Sequence, residues 1–94
     1  VIRSMARSAS PVLRYWGVYL LGILGDKSDA DKVASLLEDP VPNVRYTAAQ
    51  ALYRILKNES LNALVVRLTS DPNWYVRCRV YSLFLEAGMI PSPA

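Results

Sequence analysis

An all-α fold built from a repeated pair of helices is what this chain of 94 residues predicts, on three observations. One segment recurs: LRYWGVYLLGIL at 13–24 returns as VRYTAAQALYRI at 44–55 and as VRCRVYSLFLEA at 76–87, at spacings of 31 and 32 residues. Within each copy, apolar or small residues fall at offsets of zero, four, seven, eight and eleven, which gather on one side of a helix at about 100° per residue. A strand does not produce that spacing. Upstream of each copy lies a shorter helical pattern: Ala30, Val33, Leu36 and Leu37, then Leu61, Leu64, Val65 and Leu68. Ile2, Met5 and Ala6 fall in the same register before the first copy, so the chain opens in mid-repeat.

The elements follow in order, with helices at roughly 1–7, 11–24, 29–38, 42–57, 60–70 and 74–87. Pro11 and Pro42 stand at first helical positions, where a missing N–H is harmless. Ser10 and Asn73 suit the N-cap, whereas Val41 has no side-chain oxygen to accept the capping bond and predicts a less firm start. Ser28 with Asp31 reads as a capping box for the shorter helix, and Ser60 as the cap of its counterpart. Gly25 and Gly88 suit left-handed helix ends, and Pro91 and Pro93 stop the last helix. The predicted core comprises Leu13/Val44/Val76, Gly17/Ala48/Val80, Leu20/Ala51/Leu83, Leu21/Leu52/Phe84 and Leu24/Ile55/Ala87.

Ninety-four residues make one domain, read here as 1–90 with repeats of about 1–25, 26–57 and 58–88 and a tail at 91–94. A hydrophobic fraction of 52% with 20% charged residues is globular composition, and the apolar runs are too short to span a bilayer. The start at Val1 and the lack of a signal-peptide core read as a segment of a longer chain. The single cysteine, Cys78, excludes an internal disulfide and weakly favours the cytoplasm, leaving localisation otherwise unknown. There is no histidine, which removes the commonest general base and zinc ligand.

A helical hairpin of 31 or 32 residues with D-P-x-x-x-V-R at its turn resembles the HEAT repeat, in particular the short HEAT-like variety of phycobilisome lyases. The pattern is complete at Asp39-Pro40 with Val44-Arg45 and at Asp71-Pro72 with Val76-Arg77, while the first copy has Ser8-Ala9 and Leu13 instead. The resemblance implies a short α-solenoid, a right-handed superhelix of antiparallel helical hairpins, with first helices outside and second helices lining a concave face. It also implies a scaffold that binds proteins. Some members bind nucleic acid and some are appendages of enzymes, and fold alone does not choose among these.

Arg14, Arg45 and Arg77 share one repeat position, and two of them follow an aspartate by six residues. The resemblance implies a structural ladder of Asp39, Arg45, Asp71 and Arg77, with bidentate contacts across each turn and to the next repeat. A row of cations for phosphates is the competing reading. Projection away from the core places Tyr15, Tyr19 and Gly22, then Tyr46, Gln50 and Tyr53, then Cys78, Ser82 and Leu85 on one surface. Trp16, Arg54 and Arg79 flank it, and tyrosine, tryptophan and arginine are enriched at binding hot spots. The same tyrosines suit lateral packing between helices.

Charge is segregated within the net +3: residues 1–25 carry three cations and no acid, 26–39 carry five acids and two lysines, and the second long helix adds Arg45, Arg54 and Lys57. A basic, aromatic inner face suits an anionic partner, yet +3 is small for a dedicated nucleic-acid binder. Asp26, Asp29 and Asp31 read as helix-capping acids rather than metal ligands, and Cys78 lacks a histidine base. The sequence therefore predicts a non-catalytic scaffold without a cofactor, taking a protein or peptide on Tyr15, Trp16, Tyr19, Tyr46, Gln50, Tyr53, Arg54 and Arg79. The alternatives are an accessory domain of a larger hydrolase or lyase, or nucleic-acid binding through the basic inner helices. Self-association through exposed repeat ends is a further expectation, and membrane insertion is not.

Overall fold

The computed structural model describes residues 2–60, 64, 71–86 and 88. Among the described residues, five α-helices of defined bounds run in order: α1 (Ile2–Ala6), α2 (Pro11–Leu24), α3 (Ala30–Ser35), α4 (Pro42–Leu56) and α5 (Trp74–Glu86). Short 3-10 turns occupy Lys27–Asp29, Leu36–Glu38 and Lys57–Ser60, and no strand occurs among the described residues. The helix expected at 60–70 lies outside the described residues except for Ser60 and Leu64, as do the chain end beyond Gly88 and Ala87.

The three long helices start as their sequences dictate. Pro11 and Pro42 open α2 and α4, and the Asn73 side chain accepts from the N–H groups of Tyr75 at 2.9 Å and Val76 at 3.2 Å. Val41 makes no side-chain cap, leaving the first turn of α4 held by bonds from Val44 and Arg45 to the Val41 carbonyl. The acidic segment departs from the single helix expected at 29–38. Its cap is Asp26 rather than Ser28: the Asp26 carboxylate accepts from Ser28 N–H at 2.9 Å, and Asp29 accepts from Asp26 N–H at 3.1 Å. This reciprocal pair starts a 3-10 turn, so only six residues of true α-helix follow before the chain tightens again. Gly25 is extended, at φ −79° and ψ 176°, rather than left-handed. Gly88 has the expected positive φ of 77°, and the one described non-glycine with positive φ is Lys57, at the end of α4.

The core is a continuous cluster that includes Val18, Leu21, Val33, Leu37, Val44, Ala48, Leu52, Leu64, Val76, Val80 and Phe84. α2 packs on α4, α4 on α5, α1 on α2 and α3 on α4. Two glycines set the spacing. A Cβ on Gly17 would collide with the Ala6 nitrogen, and one on Gly22 would stand 2.9 Å from the Ala51 Cα, so both contacts bring backbones together without an intervening side chain. Gly22, expected to point away from the core, is therefore a packing residue against α4. Leu13 and Leu24 correct the expectation in the other direction. Both are exposed, whereas their repeat-mate Val44 is fully buried and Ile55 packs against the core. The difference is cover: α2 has α4 on one side, but α1 is five residues long and reaches only part of the other.

Candidate functional site

Arg14, Arg45 and Arg77 lie in the first turn of α2, α4 and α5. Each reaches back to the turn before its helix with Nη1: Arg14 donates to the Ser8 carbonyl at 3.0 Å and the Ala9 carbonyl at 3.1 Å, Arg45 to the Asp39 carbonyl at 2.8 Å, and Arg77 to the Asp71 carbonyl. The other guanidinium edge reaches forward. Arg14 Nε and Nη2 donate to the Asp39 carboxylate at 2.8 and 3.2 Å, and Arg45 grips Asp71 likewise at 2.8 and 3.0 Å. The sequence reading had each aspartate meet the arginine six residues on across the turn and reach the next repeat as well. The carboxylates instead serve the arginine of the preceding copy, and only the backbone carbonyl serves the local one. A planar fork fits both because its two edges diverge. Each aspartate also closes its own turn, accepting from Val41 N–H and Asn73 N–H, both at 2.9 Å. In the first copy the Ser8 hydroxyl takes that turn bond, from Ser10 N–H at 3.0 Å, without supplying a carboxylate.

The aromatic residues form two groups. On α2, Tyr15 and Tyr19 stack with ring centroids 6.5 Å apart, and Trp16 meets them edge-on at 5.3 and 5.9 Å. At the α4–α5 junction, Tyr46 meets Tyr75 edge-on at 5.2 Å, Tyr75 meets Trp74 at 5.7 Å, and the Arg79 guanidinium lies 5.6 Å from the Tyr46 ring centre. Between the groups opens a cleft of about 220 Å³ lined by Pro11, Val12, Tyr15, Val41, Asn43 and Tyr46. A second, of about 370 Å³, is lined by Gln50, Tyr53, Arg54, Lys57, Leu83 and Glu86.

Of the residues singled out from sequence, Trp16, Tyr19 and Arg54 are exposed, while Tyr15, Tyr46 and Tyr53 are half-buried and pack against the core cluster. Arg79 joins Tyr46 and Gln50, donating to the Gln50 amide oxygen at 3.4 Å. Sequence reasoning missed Val12, Trp74 and Tyr75, which are 64%, 65% and 43% exposed. Val12, Asn43 and Tyr75 share the slot just before the first core residue. A helical projection widened by one residue includes them.

The acidity of Tyr46 is clearly displaced. Burial raises its pKa above the ordinary 10.0, the neighbouring Tyr15 and Tyr75 add to the rise, and the Arg79 cation opposes it. The phenol is thus held neutral in a contact shared by three helices. Asp26 and Asp29 are taken up in capping, and Cys78 is exposed on α5 beside Ser82, whose hydroxyl donates to the Cys78 carbonyl at 3.0 Å. No helix among the described residues is long and apolar enough to cross a membrane.

A family model for HEAT repeats matches residues 1–83. The chain belongs to the HEAT repeat family, whose members generally mediate protein–protein interaction. No curated protein and no solved structure matches it.

Proposed function

We propose that this chain is a non-catalytic protein-binding scaffold, a short right-handed solenoid of antiparallel hairpins. Its inner face, formed by α2, α4 and α5, takes an extended peptide or protein segment. The observation that carries this reading is the cleft between Tyr15 and Tyr46, flanked by exposed Trp16 and Tyr19 on one side and Trp74 and Tyr75 on the other. Such a surface offers rigid aromatic anchors around an apolar slot, the arrangement that concentrates binding energy in few residues. An anionic partner is less well served. Arg14 and Arg45, two of the inner cations, already hold aspartates with one edge and carbonyls with the other.

A random peptide library displayed against the chain tests the proposal, with affinities of the recovered peptides read by fluorescence anisotropy. Trp74→Ala and Val12→Glu, both at exposed positions, are expected to weaken binding by about tenfold or more, the scale of a hot spot. Asp31→Ala on α3 is expected to leave it unchanged. Affinity should fall less than about threefold between 50 and 200 mM salt, whereas phosphate contacts would make it fall steeply. Recovery of no peptide, or equal binding by all three variants, would count against the inner face.

A further inference from the structure

Past the aromatic cleft, the groove between α4 and α5 turns polar. A hollow of about 160 Å³ is lined by Gln50, Arg79, Ser82, Leu83 and Glu86, and it shares Gln50, Leu83 and Glu86 with the second cleft, where Arg54 and Lys57 stand. The two hollows therefore make one trough. Its sides carry three cations, Arg54, Lys57 and Arg79, against one carboxylate, Glu86, and among the described residues none of the three takes part in an ion pair. Arg14 and Arg45, by contrast, are filled by aspartates and carbonyls. Arg54 and Lys57 complement the C-terminal end of α4, but Arg79 lies in the second turn of α5 and has no carbonyl end to serve. It is half-buried, faces the Tyr46 ring and spends one donor on a long bond to Gln50. Neither contact neutralises it, and a guanidinium drawn out of water favours an anion.

We infer that the trough takes an acidic side chain of the bound segment, so that the partner is a peptide pairing an apolar or aromatic anchor with an aspartate or glutamate three or four residues away. This specifies the ligand of the inner face and rests on the peptide-binding reading given above. The spacing comes from α4. Arg54 stands eight residues beyond Tyr46, about 12 Å along the helix axis at 1.5 Å per residue. An extended or polyproline-like chain covers that length in about four residues, at roughly 3.1 to 3.3 Å each. A single carboxylate suits this place better than a run of phosphates, which would have to pass Glu86 with Arg14 and Arg45 already engaged.

The displayed library supplies the test. Recovered peptides should share an acidic residue three or four positions from their apolar anchor. In synthetic versions, replacing that residue by its amide should weaken binding to the parent chain about fivefold, and less than about twofold in an Arg54→Gln/Lys57→Gln protein, the scale of one partly shielded ion pair. Both positions are exposed, so that protein should melt where the parent does. Adding Arg79→Gln should abolish the difference, and Arg7→Gln, which removes an exposed cation after α1, should leave it intact. Peptides that need Trp74 yet share no acid at that spacing, or whose acid matters equally in every variant, overturn this proposal and leave the inner face standing. Peptides indifferent to Trp74→Ala and Val12→Glu, or no peptides at all, remove both. Displacement of the peptides by single-stranded oligo-dT, with affinity falling steeply with salt, would overturn it in favour of a nucleic acid.

Discussion

Arg45 ties two turns to its helix with one guanidinium: its own turn through the Asp39 carbonyl and the next turn through the Asp71 carboxylate. Asp71 is almost wholly buried, with a side chain 4% exposed, so removing its cation leaves a buried charge unpaired. Arg45→Ala should therefore destabilise the domain by about 3 kcal/mol, as expected when one member of a buried pair is deleted. Arg77→Ala removes only a donor to a carbonyl and should cost about 1 kcal/mol. Urea titration of the two variants decides it, and equal losses would contradict the forward pairing. The arginine slots themselves are legible in the sequence because Val44-Arg45 and Val76-Arg77 repeat. That the local aspartate offers only its carbonyl, while its carboxylate goes to the neighbouring copy, is not. A separation of six residues looks like the natural partner, but the fork's second edge points toward the next copy, and that direction exists only once the helices are packed.

Among the elements, α4 carries the clearest conflict with local preference. It starts at Val41 without a side-chain cap and ends at Lys57, whose φ of 54° and ψ of −131° suit glycine. The Lys57 ammonium stands 5.9 Å from the Tyr53 ring centre, a weak compensation at an exposed site. Lys57→Gly should relieve the backbone and raise stability by about 1 kcal/mol, read as a higher thermal midpoint. A lower midpoint would mean that the Tyr53 contact outweighs the strain. The long helices α2, α4 and α5 are legible from the offsets of their apolar residues. The acidic segment is not, because Asp26, Ser28, Asp29 and Asp31 are all competent caps and sequence spacing does not rank them. Gly25 misleads for a related reason: it is needed for space, since a Cβ would come 2.5 Å from the Leu21 carbonyl oxygen, and not for a left-handed turn.

At the scale of the whole molecule, α2, α4 and α5 meet around Tyr46, through Tyr15 beside it and Tyr75 and Arg79 across it. The folded protein binds the Tyr46 proton more tightly than the unfolded chain does, because the folded pKa lies above the ordinary 10.0. Stability from this group is thus complete below about pH 10 and is lost as pH climbs through the raised folded value. Denaturant midpoints measured from pH 8 to about 11.5 should fall along an alkaline limb that is shallower in Tyr46→Phe than in the parent protein. An unchanged limb would mean that Tyr46 ionises in the folded state as readily as in the unfolded one. This convergence of three helices on one phenol also explains why the tyrosine surface was only half legible. Tyr15, Tyr46 and Tyr53 are partly spent on packing between neighbours, and the exposed aromatic area shifts to Trp16, Tyr19, Trp74 and Tyr75.

By itself the sequence determined that the chain is helical and repeated, where its long helices begin, and most of the residues that face the core. Those properties depend on spacing along one helix, and spacing is written in the chain. Only the tertiary structure decided that the Asp39 carboxylate serves Arg14 rather than Arg45 and the Asp71 carboxylate Arg45 rather than Arg77, that Gly22 is a contact and Leu13 is not, and that among the described residues no carboxylate meets Arg77. Each depends on which neighbour covers a given flank. A repeating sequence offers every copy the same flank, and packing alone distinguishes the copy that has a neighbour from the copy that does not.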